Sequence, residues 1–178
     1  MIEGARFDLT IDRLCHQVIE RFGDFANTRI IGIQPRGVLL SDRIVKRLKT
    51  ITKLQNIVHG KMDITFYRDD FRTRNKPLTA NITQIDFLVE NKEVLLIDDV
   101  LYTGRTIQAA LVALQHYGRP LNVELLTLVD RRFNRHLPIH SDYIGLTVDA
   151  LDEAYVQVEW KETSGQDRIW IFPEKIKD

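Results

Sequence analysis

Apolar residues recur along this chain in two rhythms, and the alternation between them predicts its elements. Ile11, Leu14, Cys15, Val18, Ile19 and Phe22 keep the i, i+3, i+4, i+7 spacing of one helix face. Thr10 is placed to cap that helix and Gly23 to stop it. Residues 30–33 form a short apolar strand, and a second helix follows Gln34-Pro35-Arg36-Gly37 over about 38–48. Met62, Ile64 and Phe66 alternate with polar neighbours over 61–67, which predicts a strand. Residues 68–77 are polar and charge-rich and show no period. Val94-Leu95-Leu96-Ile97 is an unbroken apolar run, the mark of a strand buried on both faces in a parallel sheet. The helix after it carries Ile107, Ala110, Leu111 and Leu114 on one face, and Gly118-Arg119-Pro120 ends it. Residues 123–129 make another buried strand. Residues 155–160 and 168–172 alternate across a turn at 163–166, a closing hairpin in which Trp160 and Trp170 serve packing or dimer contacts. Strands alternating with helices predict an α/β fold, a mostly parallel sheet flanked by helices.

Composition narrows the class. A chain of 178 residues fits one domain, 1–178, by the usual span of ~100–200 residues. The 25 basic and 25 acidic residues cancel, so no bulk field draws the chain to nucleic acid or an anionic membrane. Cys15 is alone and sits on the apolar stripe, a core residue without a disulfide partner. No apolar run approaches the ~18 residues of a membrane span, and the first residues lack a secretion signal, which predicts a cytoplasmic protein.

Residues 94–106, Val-Leu-Leu-Ile-Asp-Asp-Val-Leu-Tyr-Thr-Gly-Arg-Thr, concentrate the chemistry. Asp98 and Asp99 fall at the carboxyl end of the buried strand, where open α/β sheets bind ligands. Thr103, Gly104, Arg105 and Thr106 form a turn opening a helix, whose backbone N–H groups and two hydroxyls suit an anion, most often phosphate. The acids repel phosphate, so they face sugar hydroxyls or Mg²⁺ on the same ligand. The stretch reads as a sugar-phosphate site. Neither G-x-x-x-x-G-K-[ST] nor G-x-G-x-x-G occurs.

Asp-Asp-Val-Leu-Tyr-Thr-Gly-Arg-Thr is similar to the phosphoribosyl-pyrophosphate signature of type I phosphoribosyltransferases. It resembles most the PyrR family, attenuation regulators of pyrimidine operons that also carry uracil phosphoribosyltransferase activity. The resemblance implies transfer of 5-phosphoribosyl to a nucleobase, uracil first, with a purine (hypoxanthine or guanine) as alternative. It also implies Mg²⁺, a homodimer or higher homo-oligomer, and pyr leader RNA as a partner for a protein that senses UMP or phosphoribosyl pyrophosphate. By the same resemblance Asp98, Asp99 and Arg36 are catalytic. Leu101, Tyr102, Thr103, Gly104, Arg105, Thr106 and the Arg36-Gly37 pyrophosphate loop join the two acids in binding phosphoribosyl pyrophosphate.

The resemblance extends outward from that motif. A mobile lid over about 67–80 brings Tyr67, Arg68, Arg72 and Arg74 to the substrates. A small hood over about 133–151, with the final hairpin, holds the base through Tyr143, by stacking, and backbone groups of Ile144. After Gly145 the chain reads Leu-Thr-Val-Asp, similar to the hood of hypoxanthine-guanine phosphoribosyltransferases, which makes Asp149 a metal candidate. Asp130-Arg131 ends a strand and either faces the site or forms a structural pair. His16 is a solvated surface residue or part of an RNA surface. Arg131, Arg132, Arg135, His136 and His140 form a solvated loop or contact phosphate from substrate or RNA.

Overall fold

The computed structural model describes residues 2–68, 82–149 and 155–172. A two-residue strand, β1 (Ile2–Glu3), leads into helix α1 (Ala5–Phe22). The helix starts earlier than the Thr10 cap predicts. Thr10 lies inside it and donates its hydroxyl to the Arg6 carbonyl at 2.9 Å, so it bonds back within the helix instead of capping it. Phe7 extends the apolar stripe by another turn. Gly23 stops the helix as predicted, with φ +61° and its N–H on the Ile19 carbonyl.

The stripe packs on a parallel sheet. Strands β2 (Thr28–Ile33), β3 (His59–Met62), β4 (Glu93–Leu101), β5 (Asn122–Arg131) and β6 (Tyr143–Val148) lie in the order β3-β2-β4-β5-β6. Strand periodicity sorts their side chains to two faces. Ile30, Leu95, Ile97, Leu126 and Leu128 join α1 and helix α2 (Arg36–Thr52) in one apolar cluster. Ile31, Ile33, Val94, Leu96 and Leu125 meet helix α3 (Arg105–Leu114) in another. Burying each such side chain stabilises the fold by roughly 1.5–3 kcal/mol, which is why the central strands read as unbroken apolar runs.

Two expectations are corrected. The strand predicted over 61–67 ends at Met62, and Thr65–Tyr67 is a 3-10 turn. The Asp63 carboxylate accepts the Thr65 N–H at 2.9 Å and the Thr65 hydroxyl at 2.6 Å, which curls the chain and leaves Phe66 exposed. Residues 143–148, assigned to the hood, are the fifth strand of the main sheet, in parallel register with β5 from Leu126↔Tyr143 to Arg131↔Val148. The final hairpin, the other part of the expected hood, lies in a separate antiparallel sheet of order β1-β8-β7, made with β7 (Tyr155–Glu159) and β8 (Arg168–Phe172). The predicted hairpin is present, with a short helix α4 (Lys161–Ser164) in its turn. Val156, Val158, Trp160 and Ile169 share the core of α1, and Trp160 meets the Phe7 ring edge-on at 5.7 Å, a packing role. No helix among the described residues is long and apolar enough to cross a membrane.

Candidate active site

The chain diverges between β2 and β4. After β2, α2 leads outward to the edge strand β3; after β4, α3 leads the other way to β5. Such a switch point leaves a crevice outside the carboxyl ends of the strands. A cleft of about 450 Å³ opens there, lined by Gln34, Arg36, Arg68, Asp98, Asp99, Tyr102, Thr106, Arg131, Tyr155 and Val156 among others. Arg36, Arg68, Asp98, Asp99, Tyr102 and Thr106 were all expected in it.

Asp98 and Asp99 belong to β4 itself, which runs on to Leu101, and they are 6% and 5% exposed. Asp98 Oδ1 accepts the Asp99 N–H at 3.0 Å. Asp99 Oδ2 is buried and has no hydrogen-bond partner. Neither acid has an ion pair among the described residues. Burial, and then the charge of Asp99, push the Asp98 carboxyl well above the usual carboxylate range, against the pull of the Asp99 N–H, Arg36 and Arg68. Burial likewise raises Asp99, against Arg36 and the backbone. An unmet buried carboxylate oxygen carries the full cost of desolvation, so the pair is built for a partner that arrives from outside.

Gly37 brings the start of α2 against this point. A Cβ there would stand 2.4 Å from the Ile97 carbonyl oxygen and 2.9 Å from Asp98 Cα, so glycine is needed for the close approach that sets Arg36 beside the acids.

The turn after β4 is braced from behind. Leu101 ends the strand in register with Asp130, its side chain buried, so the turn proper begins at Tyr102. The Thr103 carbonyl accepts the His136 N–H at 3.0 Å and the Leu137 N–H at 3.3 Å, and Arg135 donates to the Tyr102 carbonyl at 2.5 Å. Gly104 takes φ +91° at the head of α3, with Leu137 and Ile139 at van der Waals distance from where a Cβ would be. The Arg105 N–H, first in α3, donates to the Thr103 hydroxyl at 3.4 Å, and the N-cap residue Gly104 has no side chain to cap those that follow. The next amides of the first turn are the ones available to an anion. Arg68 donates to the Thr106 hydroxyl at 3.3 Å, and Arg105 Nε–H to His136 Nδ1 at 3.4 Å.

Other expected residues lie elsewhere. The Tyr143 ring packs 6.5 Å from that of Phe22, and its hydroxyl donates to Glu124 at 2.5 Å, so it is a core residue and not a base platform. The Ile144 carbonyl accepts from Arg13 at 3.1 Å, and Ile144 does not line the cleft. Asp149 is exposed and ion-paired with Arg132, which holds its carboxyl below the usual range, and it too lies outside the cleft lining. Tyr67 faces His116, ring centroids 5.6 Å apart, while Arg72, Arg74 and residues 69–80 of the expected lid lie outside the described residues. Asp130 and Arg131 part company: Asp130 pairs with Arg135, and Arg131 lines the cleft with its guanidinium 3.9 Å from the Tyr102 ring centroid. His16 and His140 are exposed. Sequence reasoning missed Tyr155 and Val156 as cleft residues; their one signal was an aromatic opening a half-buried strand.

The donor set fits a hydrated divalent cation. Asp99 offers an orphaned carboxylate oxygen, and among the described residues no group of three His, Cys, Asp or Glu side chains could cage an ion. Mg²⁺ is commonly held this way, by one or two carboxylates with the remaining positions left to water and substrate phosphates.

A phosphoribosyl transferase domain model matches residues 4–163. The bifunctional protein PyrR of Elusimicrobium minutum (strain Pei191) is 37% identical over 169 residues, covering 95% of this chain and 93% of that protein. The bifunctional protein PyrR of Bacillus cereus (strain AH820) is 38% identical over 164 residues, covering 91% and 90%. In fold, the chain is similar to a hypoxanthine phosphoribosyltransferase from Staphylococcus aureus, with a TM-score of 0.56 at 22% identity over 82% of this chain and 76% of that one. On the matched domain, and on likeness to PyrR proteins along nearly its whole length, the chain belongs to the phosphoribosyltransferase family and within it to the PyrR proteins.

Proposed function

We propose that this protein transfers the 5-phosphoribosyl group of phosphoribosyl pyrophosphate to uracil, giving UMP and pyrophosphate. The observation that carries the reading is the buried, uncompensated acid pair beside the braced amide turn at the switch point. Asp98 and Asp99 accept hydrogen bonds from the ribose hydroxyls. As the bond from the anomeric carbon to pyrophosphate breaks and the bond to the base nitrogen forms, positive charge grows on the ribose, and the two carboxylates favour it. Arg36 and Arg68 offset the negative charge on the leaving pyrophosphate. The amides from Tyr102 to Thr106 anchor the 5′-phosphate, and this remote binding energy goes into orienting the anomeric carbon. Asp98 or Asp99 would hold Mg²⁺, which when bound supplies further neutralisation of that charge.

Radiolabelled uracil incubated with phosphoribosyl pyrophosphate and Mg²⁺ tests the reading, with UMP as the expected product. Product from hypoxanthine or guanine but not from uracil would replace uracil with a purine and leave the transfer chemistry standing.

A second reading is favoured by the relatives, which are named bifunctional over nearly the full length of this chain. In it the protein also binds the leader RNA of pyrimidine genes, with UMP or phosphoribosyl pyrophosphate in the cleft as the signal. Filter binding with a pyr leader RNA across a salt series tests this, and binding no tighter than to a scrambled RNA would rule it out.

A further inference from the structure

We propose that His59 is a pH-sensitive bolt: uncharged, it fastens edge strand β3 to helix α2, and in mild acid it favours an open seam between them, freeing the loop that presents Arg36. Strand β3 is the edge of the main sheet, and its alternate residues His59 and Lys61 share the face that α2 covers. Where the central strands set Ile30, Leu95 and Ile97 into the core with α2, the edge sets two bases. Helix α2 meets them with Ser41 and Asp42. The Ser41 hydroxyl lies 3.0 Å from His59 Nε2 and 3.0 Å from the Val38 carbonyl oxygen. Asp42 Oδ1 stands 3.8 Å from His59 Nδ1, and its other oxygen accepts from Lys61 at 2.9 Å. Serine, histidine and aspartate in this order resemble a hydrolytic triad, but Ser41 is 0% exposed and no substrate reaches its oxygen. Ser41 is also pressed onto β2: a Cβ on Gly32 would stand 2.1 Å from its Oγ. The cluster is a seam, not a second active site.

What the seam responds to is charge on the ring. The charged groups acting on His59 are Asp42 and Lys49 from α2 and Lys61 from its own strand, while the β2 residues in register with His59 and Lys61 are Ile30 and Gly32, which carry none. Burial holds the imidazole below its ordinary value; Asp42 pulls it up, and Lys61 and Lys49 push it down again. In an opened seam the ring takes up a proton freely from water. Above the ordinary histidine value the ring is neutral in both forms and the seam has its full strength. As pH falls through that value toward the lowered one, the open form binds a proton that the closed form refuses, so the balance moves toward opening. The opening reaches the cleft through two ties. Met62, at the other end of β3, holds the Gln34 N–H on its carbonyl at 2.9 Å. Ser41 follows Gly37 by one helical turn. Both ends of the short loop that carries Arg36 are thus anchored in the seam that His59 closes.

Native-state hydrogen exchange tests this in the wild type and in His59→Gln, which keeps an N–H for Ser41 but does not titrate. Rates are compared at about pH 7.5 and about pH 5.5, corrected for the intrinsic pH dependence of amide exchange. In the wild type, opening across residues 59–62 and 36–41 should rise several-fold in acid. The ceiling is about tenfold, set by one group titrating one pH unit below the ordinary histidine value of about 6.5. In His59→Gln the same amides should change less than about twofold. The cleft acids titrate in both proteins, so the comparison removes them. Residues 123–129 of β5, away from the seam, should respond alike in the two. An equal acid response of residues 59–62 in both proteins would overturn the proposal, as would a wild-type rise spread evenly over β3 and β5. An NMR titration of the His59 ring in the wild type decides the matter if His59→Gln does not fold. A ring that titrates below the ordinary histidine value, with acid opening confined to the seam, supports the bolt; one that titrates at or above that value overturns it. Neither readout uses turnover, so the transferase reading stands or falls separately.

Discussion

The ends of β4 and β5 begin from the same local grammar, an apolar run closing on an aspartate, and come to opposite uses. At β5, Asp130 is neutralised by Arg135, whose other nitrogen reaches the Tyr102 carbonyl, and the next basic residue, Arg132, is held by Asp149. At β4, Asp98 and Asp99 are buried with no ion pair among the described residues and feel Arg36 only through the field. One strand end is closed on itself and serves as scaffold. The other is left electrostatically open at a cost in stability, and that openness marks it as the candidate site.

The largest effect follows from closing the open end. Asp98→Asn or Asp99→Asn should lower kcat/KM more than tenfold, above about 1.4 kcal/mol of transition-state stabilisation. The same variants should melt higher than wild type at neutral pH. Each carboxyl has a folded pKa above its unfolded one, so the folded state binds more protons and stability falls as pH rises from the ordinary carboxylate range through the raised values. Asparagine escapes that loss, so its melting advantage should vanish in acid below the ordinary range. For the wild type, the acid limb of kcat/KM should fall at a higher pH than an ordinary carboxylate would give, read from a pH–rate profile.

A smaller loss comes from moving the loop beside the acids. Gly37→Ala forces α2 away from Ile97 and Asp98 and should cost about 1–3 kcal/mol in denaturant unfolding. Displacing Arg36 with it should lower activity by roughly tenfold. Smaller again is the scaffold end: Arg135→Ala leaves Asp130 unpaired and the Tyr102 carbonyl unsupported, costing about 1–3 kcal/mol of stability. Its catalytic signature should be confined to a several-fold rise in KM for phosphoribosyl pyrophosphate. Arg132→Ala, at an exposed pair, should leave the melting temperature within error of wild type.

Much of this was legible in the residues. The central strand, its acids and the turn could be read because burial on both faces, charge at a strand end and a glycine opening a helix are local signals. Gly37 could be read too, as part of a loop placed one crossover earlier. What failed was non-local. Tyr143 carries the same aromatic ring in a base pocket or a core, and only the pairing of β6 with β5 decides for the core. The basic residues from Arg131 to His136 look alike in sequence. Tertiary partners sort them into an ion pair with Asp149, a brace for the turn and an arginine lining the cleft against the Tyr102 ring. Tyr155 was invisible as a site residue because its strand joins the other sheet, and nothing near it in sequence points to β4.

The central claim is that the acid pair and the amide turn hold opposite ends of one ribose 5-phosphate. A crystal structure of the protein with phosphoribosyl pyrophosphate tests it most directly. The account predicts ribose hydroxyls within hydrogen-bond reach of Asp98 and Asp99, with the 5′-phosphate on the amides between Tyr102 and Thr106. Ligand bound away from β4, or both carboxylates left facing protein alone while it is bound, would contradict it.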